Sequence, residues 1–128
     1  MTKHVIIIMQ VVITLCIASS VADAQIAEVK IKGNLAYIYD DNGRYTGKYF
    51  SLDGNASIEG YNSQFIVVLK NKMVYIYDDQ GKCTGKYFSL DGNAYIKNVS
   101  RSAILVKKGN LVYYYDFDGR YTGKYTNE

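Results

Sequence analysis

The sequence contains no proline and no tryptophan, and its single histidine, His4, lies among the first 24 residues. Of the two cysteines, Cys16 lies in that same segment, which leaves Cys83 alone in residues 25–128. Those 104 residues therefore offer no imidazole for acid–base catalysis, no histidine-activated nucleophile and no cysteine–histidine set for zinc. They cannot form an internal disulfide either. These shortages predict a non-enzymatic domain without metal or cofactor.

The charge is mild and evenly spread. The 128 residues carry 15 Lys and Arg against 12 Asp and Glu, a formal net charge of +3. The basic residues recur along the chain and form no dense stripe of the kind that binds phosphate backbones. We therefore predict no nucleic-acid partner.

Residues 1–24 are typical of an export signal. Lys3 precedes an apolar stretch at 5–18 that has the length of a signal core and is too short for a confident membrane span. Ala22 and Ala24 form the small-x-small pattern of a cleavage site, so we predict cleavage after Ala24 and a secreted or periplasmic domain at 25–128. The alternatives are a lipoprotein signal at Cys16 and an uncleaved anchor, in which case this segment would be the membrane contact.

The remainder of the chain repeats with a period of 38 residues. Asp40, Asp78 and Asp116 are equivalent positions in units 27–64, 65–102 and 103–128. Between Tyr37 and Ile58 the first two units agree at 18 of 22 positions. Such self-similarity indicates tandem copies of one structural unit.

Each unit reads as four short strands separated by turn signals. In the second unit these are a β-branched run at 65–70, an aromatic run at 73–77, a third strand equivalent to 44–52 of the first unit, and a fourth at 94–99. Gly-Asn or Asn-Lys, Asp-x-x-Gly and Asp-Gly-Asn supply the turns. The third unit stops after Tyr125, so we expect its missing fourth strand to be replaced by the N-terminal strand or by a second molecule. Glycines recur inside the third strand at Gly47, Gly85 and Gly123, and predict a β-bulge or a close approach of backbones.

The stretch Ile104–Tyr125, ILVKKGNLVYYYDFDGRYTGKY, resembles the β-propeller repeats of quinoprotein and outer-membrane-assembly type. The order of a hydrophobic strand, a Gly turn, Leu-x-Tyr, Asp and Thr-Gly-Lys carries the resemblance, which implies all-β, antiparallel, blade-like units. Because three blades are too few to close a propeller, we consider three arrangements. These are a six-bladed homodimer of two copies, a packing of the three units around a pseudo-threefold axis as in β-trefoil or β-prism proteins, and an open stack.

The segment Tyr113–Gly123 also resembles the choline- and glucan-binding repeats of bacterial surface proteins. That likeness implies aromatic faces that stack on sugar rings or on quaternary ammonium groups. The competing interpretation places the 14 tyrosines in the core or in cross-strand pairs. The candidate ligand-binding residues are Tyr45, Tyr49, Tyr87, Tyr121 and Tyr125.

Two further motifs favour structural roles. Asp116 and Asp118 could suggest calcium, but the position of Asp118 is Asn42 or Gln80 in the other units, so we interpret these carboxylates as turn residues. Cys83 stands where the other units have tyrosine, and it lacks a basic partner suited to a catalytic thiol. An intermolecular disulfide is its remaining functional interpretation.

Together these features predict an exported, non-enzymatic binding or interaction module with a protein or glycan partner. The alternatives are a lectin-like protein that uses the repeated tyrosines and a structural surface or assembly component.

Overall fold

The computed structural model describes residues 25–128, and all the regular structure of that segment is β. The predicted signal peptide and the cleavage site at Ala24 lie outside the described residues. Within residues 25–128 there is no helix long and apolar enough to cross a membrane. The all-β prediction is confirmed.

The described chain forms eleven strands, each five to seven residues long. In chain order they are β1 Glu28–Lys32, β2 Leu35–Tyr39, β3 Tyr45–Ser51, β4 Ser57–Tyr61, β5 Phe65–Lys70, β6 Met73–Asp78, β7 Cys83–Ser89, β8 Tyr95–Val99, β9 Ile104–Lys108, β10 Leu111–Tyr115 and β11 Tyr121–Asn127. Two-residue connections join β1 to β2, β5 to β6 and β9 to β10. At Asn71 and Lys72 both φ angles are positive, 53° and 67°, which is the backbone of a hairpin turn that follows the right-handed twist of the strands.

The strands form three antiparallel meanders, which we call the first sheet (β1–β3), the second sheet (β4–β7) and the third sheet (β8–β11). Strand order in space follows strand order in sequence, as in a propeller blade. The prediction that the fourth strand completes its own repeat is wrong. Strand β4 pairs with β5 of the next repeat, and β8 pairs with β9 in the same way.

Short turns explain this pairing. Between β4 and β5 the Asn62 side-chain oxygen accepts hydrogen bonds from the backbone N–H groups of Gln64 and Phe65, both at 2.8 Å, and this closes a tight hairpin. By contrast, β3 and β4 are separated by the longer connection 52–56, along which the chain passes from one sheet to the next. The third sheet is consequently four-stranded, and it is the first sheet that has three strands within the described residues.

The second sheet lies between the other two. One face of β5 presents Ile66 and Val68 to a core shared with the first sheet, and the opposite face presents Val67 to a core shared with the third sheet. We call the contact of the first and second sheets the first junction, and that of the second and third sheets the second junction. A sheet buried on both faces explains why the run FIVVL has no polar alternation.

Aromatic pairs cross both junctions at equivalent places. Phe50 of the first sheet stacks on Tyr77 of the second with ring centroids 4.4 Å apart, and Phe88 of the second sheet stacks on Tyr115 of the third at 4.2 Å. Neither core cluster contains residues of both the first and the third sheet. The described chain is thus an open stack of three blade-like sheets, and it does not form the pseudo-threefold arrangement of the trefoil and prism alternatives.

Charged and polar residues lie on both outer faces of this stack, and the outer face of the first sheet also carries the exposed Tyr45 and Tyr49. On the third sheet Lys107, Thr126 and Glu128 occupy the positions that Leu69, Phe88 and Leu90 hold on the second sheet. Glu128 forms ion pairs with Lys97 and, at 2.5 Å, with Lys107. On the first sheet Glu28 and Lys30 occupy the positions that Ile66 and Val68 hold on the second sheet. Charged residues on an outer face keep it compatible with water where no further sheet of the described chain packs.

Candidate functional site

The Asp-x-x-Gly turns hold the start of the third strand of each meander. Asp116 Oδ1 accepts hydrogen bonds from the backbone N–H groups of Asp118 and Arg120 at 3.0 and 2.9 Å. Asp40 and Asp78 make the same pair of bonds in the other units. These carboxylates therefore organise the turn, as their sequence positions predicted, and they hold the start of the edge strand at Tyr45, Cys83 or Tyr121.

A β-bulge sets the tyrosines on one face. In the third sheet Tyr113 pairs with Tyr125 and Tyr115 pairs with Tyr121. Three residues of β11 therefore lie opposite Tyr114, two more than in a regular ladder. Gly123 takes φ +91° within this bulge, and the Thr122 hydroxyl donates to the Tyr114 carbonyl at 2.8 Å. The bulge predicted from the recurring glycines is confirmed, and it keeps both flanking tyrosines on the same side of the sheet.

Each sheet carries a cluster of tyrosines on one face. In the second and third sheets this face points toward the preceding sheet, and in the first sheet it is the outer face. In the third sheet Tyr121 lies 5.7 Å from both Tyr113 and Tyr115, ring centroid to ring centroid, and Tyr125 lies 6.2 Å from Tyr113. The first sheet repeats this arrangement, and the second sheet keeps one of its pairs. Such distances are typical of aromatic side chains that support one another in tilted or edge-to-face contacts.

The five tyrosines selected from the sequence are all solvent-exposed, with 43–58 % of their surface accessible. They are distributed over the three sheets. Tyr45 and Tyr49 lie on the outer face of the first sheet, Tyr87 lies on the second, and Tyr121 and Tyr125 lie on the third. The structure brings Tyr121 and Tyr125 together around Tyr113, and it does not bring them near Tyr45 or Tyr49.

A cavity of about 210 Å³ opens at the second junction beside this last cluster. The third sheet contributes Tyr113, Tyr115 and Tyr121, and the connection from β7 to β8 contributes Asp91. The rest of the lining consists of Ala94, Val106 and Lys108. Three phenol rings, an apolar floor and one pair of opposite charges thus converge on a space large enough for one ring-sized group.

The two charges of the cavity are paired. Lys108 Nζ donates to Asp91 Oδ2 at 3.1 Å, and this hydrogen bond, followed by the charge of the same lysine, lowers the pKa of Asp91 below its ordinary value of 3.8. Burial, together with the nearby charge of Asp91, raises the pKa of Tyr115 above 10.0. The site presents the Asp91 carboxylate, the Lys108 side-chain nitrogen and three phenol groups, and the phenol groups can both donate and accept hydrogen bonds.

The first junction has the same plan with one substitution. Asp53 and Lys70 form the equivalent ion pair at 3.4 Å, and Tyr75 and Tyr77 take the places of Tyr113 and Tyr115. At the third tyrosine position stands Cys83, which is exposed and unpaired in the described residues. A thiol has no aromatic face, so the first junction lacks the platform that Tyr121 gives the second.

Sequence reasoning identified Tyr121 but missed the rest of the cavity. Tyr113 and Tyr115 lie in a strand that reads simply as core, and Asp91 lies in a loop that reads as a turn. The available signal was the 17-residue spacing from aspartate to lysine, which recurs as Asp53–Lys70 and Asp91–Lys108. A spacing kept in both copies indicates that the two side chains meet, although it does not show where.

Comparison of the chain with family models, curated proteins and solved structures found no match. The function is therefore argued from the geometry of the chain itself.

Proposed function

We propose that this protein is an exported, non-catalytic binding module whose ligand lies against the tyrosines of the second-junction cavity. The observation that carries this proposal is the convergence of Tyr113, Tyr115 and Tyr121 on one cavity beside the Asp91–Lys108 ion pair. Small-molecule sites combine an apolar surface with a few placed polar groups in this way.

The rigidity of the site favours binding. Tyr115 is held by its stack on Phe88, with the two rings 14° from parallel. Tyr121 follows the Asp116 turn and precedes the bulge that Thr122 fixes. Because the Tyr115 ring already has a fixed orientation, a ligand that contacts it loses less affinity to the ordering of that side chain.

The composition supports a role without catalysis. Residues 25–128 contain no histidine, and the Asp91 carboxylate is already engaged by Lys108. An ionised, ion-paired carboxylate is a poor general acid or base near neutral pH. The signal-like segment at 1–24 supports placement outside the cytoplasm, where a single small module would meet extracellular or periplasmic ligands.

Binding can be tested with a panel of soluble oligosaccharides, short peptides and choline chloride, read by intrinsic tyrosine fluorescence, which is unobscured because the chain has no tryptophan. We expect a panel member to bind, and Tyr121→Ala to weaken its binding by roughly tenfold or more, a loss of about 1.4 kcal/mol. The control is Tyr95→Ala, because Tyr95 is 51 % exposed and does not line the cavity. Equal affinities of the two variants, or no binding to any panel member, would remove the proposal.

A further inference from the structure

The features of the second-junction cavity indicate one class of ligand, and they occur together at one junction of the stack. Resting on the binding function proposed above, we infer that the second-junction cavity takes a neutral polyhydroxylated ring, such as one hexose unit of an oligosaccharide. We infer also that residues 25–128 carry a single such site although the unit is repeated three times.

The size and shape of the cavity fit one ring. Its volume of about 210 Å³ is below the roughly 300–1,000 Å³ of pockets for drug-sized ligands. Tyr113 and Tyr121 meet edge to face at 74°, and Val106 and Ala94 complete the apolar part of the lining. A pyranose ring has one apolar face of C–H groups and a rim of hydroxyls, and an aromatic and apolar lining can contact that face while leaving the rim free.

The polar groups match hydroxyls better than a cation. Asp91 accepts hydrogen bonds and Lys108 donates them, and the phenol groups can do both. Vicinal hydroxyls of a sugar use donors and acceptors together. A quaternary ammonium group is also attracted by tyrosine faces, but here Lys108 places a positive charge in the lining and neutralises the carboxylate that would attract the cation. The ion pair therefore favours a neutral ligand.

The restriction to one site follows from the differences between units. The first junction has the ion pair of Asp53 and Lys70 but has Cys83 in place of the third tyrosine. The first sheet has the complete cluster of Tyr37, Tyr39 and Tyr45, but in the described chain no sheet or aspartate-bearing connection faces it. Three tyrosines and an ion pair occur together at the second junction.

The substitution at Cys83 supplies a reciprocal test in the whole domain. Cys83→Tyr should build a second site at the first junction, and Tyr121→Cys should destroy the existing one. Native mass spectrometry under reducing conditions counts the malto-, cello- or chitotetraose molecules bound per chain, with choline chloride as the cationic probe. The matched control is Cys83→Ser, which changes the same position without adding a ring, and circular dichroism confirms that each variant folds.

We expect one bound tetrasaccharide in the natural chain and in Cys83→Ser, two in Cys83→Tyr, and at least tenfold weaker binding in Tyr121→Cys. A count of one in folded Cys83→Tyr, or two or more in the natural chain, would overturn the single-site inference. If choline binds and the three sugars do not, the inferred ligand class is wrong. If that choline binding is then lost in Tyr121→Ala, the proposed binding function still holds. Binding of none of the sugars would overturn the ligand class, and the binding function would fall with it only if choline and the short peptides of the panel also failed to bind. Sugar binding that is unchanged in Tyr121→Ala would overturn both.

Discussion

Gly81 lies directly against the backbone carbonyl of Tyr49, and a Cβ atom placed on Gly81 would be 2.8 Å from that oxygen. The same contact recurs one junction later, where a Cβ on Gly119 would be 2.6 Å from the Tyr87 oxygen. The Asp-x-x-Gly turn of one sheet thus docks on the last strand of the sheet before it. Gly43 occupies the same turn in the first sheet, with a φ of +75°, and has open space around it.

This arrangement predicts unequal costs for one substitution at equivalent positions. Alanine at Gly43, Gly81 or Gly119 pays a similar penalty for positive φ, about 1–2 kcal/mol. At Gly81 and Gly119 it also collides with a main-chain carbonyl, for which we expect roughly 1–3 kcal/mol more. Urea unfolding of the three variants measures the difference, with Gly43→Ala as the matched control. Equal losses at all three positions would mean that the turns do not dock on the neighbouring sheets.

Much of the local structure could be predicted because it depends on nearby residues. The hairpin turns, the Asp116 turn and the bulge at Gly123 each follow from conformational preferences within a few positions of the chain. The sheet to which β4 belongs could not be predicted in this way. Turn signals flank it on both sides, Asp53-Gly54-Asn55 before and Tyr61-Asn62-Ser63 after, and the pattern of β4 itself fits either neighbour.

The candidate site was predictable only in part for a similar reason. Tyr121 is a candidate from the sequence because its hairpin resembles aromatic binding repeats, and the structure shows it exposed. The contact of Asp91 with Lys108 depends on how the β7–β8 connection packs against β9, which is a tertiary relationship. The charged residues could not be assigned to the outer faces from the sequence, because the sequence does not show which face of each strand points outward.

The outer face of the third sheet yields a prediction on self-association. Lys107, Thr126 and Glu128 stand where the second sheet has Leu69, Phe88 and Leu90. Stacking two copies through this face would bury ion-paired charges, which costs free energy unless every charge finds a partner. We therefore expect the combined Lys107→Leu, Thr126→Phe and Glu128→Leu variant to associate at micromolar concentration more strongly than the natural domain.

Light scattering across a dilution series measures this effect. The control replaces the same residues by Gln, Ser and Gln, which removes the charges without adding an apolar face, and it should scatter like the natural domain. The six-bladed homodimer considered from the sequence stays a prediction, and ring closure through this face would show as a two-fold mass of the unmodified domain. Such a mass would contradict the view that the polar character of this face limits stacking.

Ligand binding should depend little on pH over a wide range. The pKa of Asp91 is lowered by its hydrogen bond to Lys108, so the carboxylate stays ionised to a lower pH than an unperturbed aspartate does. The pKa of Tyr115 is raised above 10.0 by burial, so the phenol stays neutral in mild alkali. The charged and titratable groups that face this pair are Lys72, Lys108, Tyr113 and Tyr121.

We therefore expect a constant affinity between about pH 5 and pH 9, because neither group changes its charge there. Affinity should fall on the acid side when the pH drops below the lowered pKa of Asp91, and on the alkaline side when it rises above the raised pKa of Tyr115. Fluorescence titrations of the tetrasaccharide at successive pH values measure the profile. A midpoint between pH 5 and 8 would show that another group controls binding.

The central claim is that the ligand lies at the second junction, and ring resonances of ¹³C-labelled tyrosines test it most directly. Saturating tetrasaccharide should shift the signals of Tyr113, Tyr115 and Tyr121, which line the cavity. It should leave those of Tyr37, Tyr39 and Tyr45 unchanged, since that cluster on the first sheet has the same aromatic contacts but no facing ion pair in the described chain. Shifts confined to the first-sheet cluster, or equal shifts in both clusters, would contradict the account.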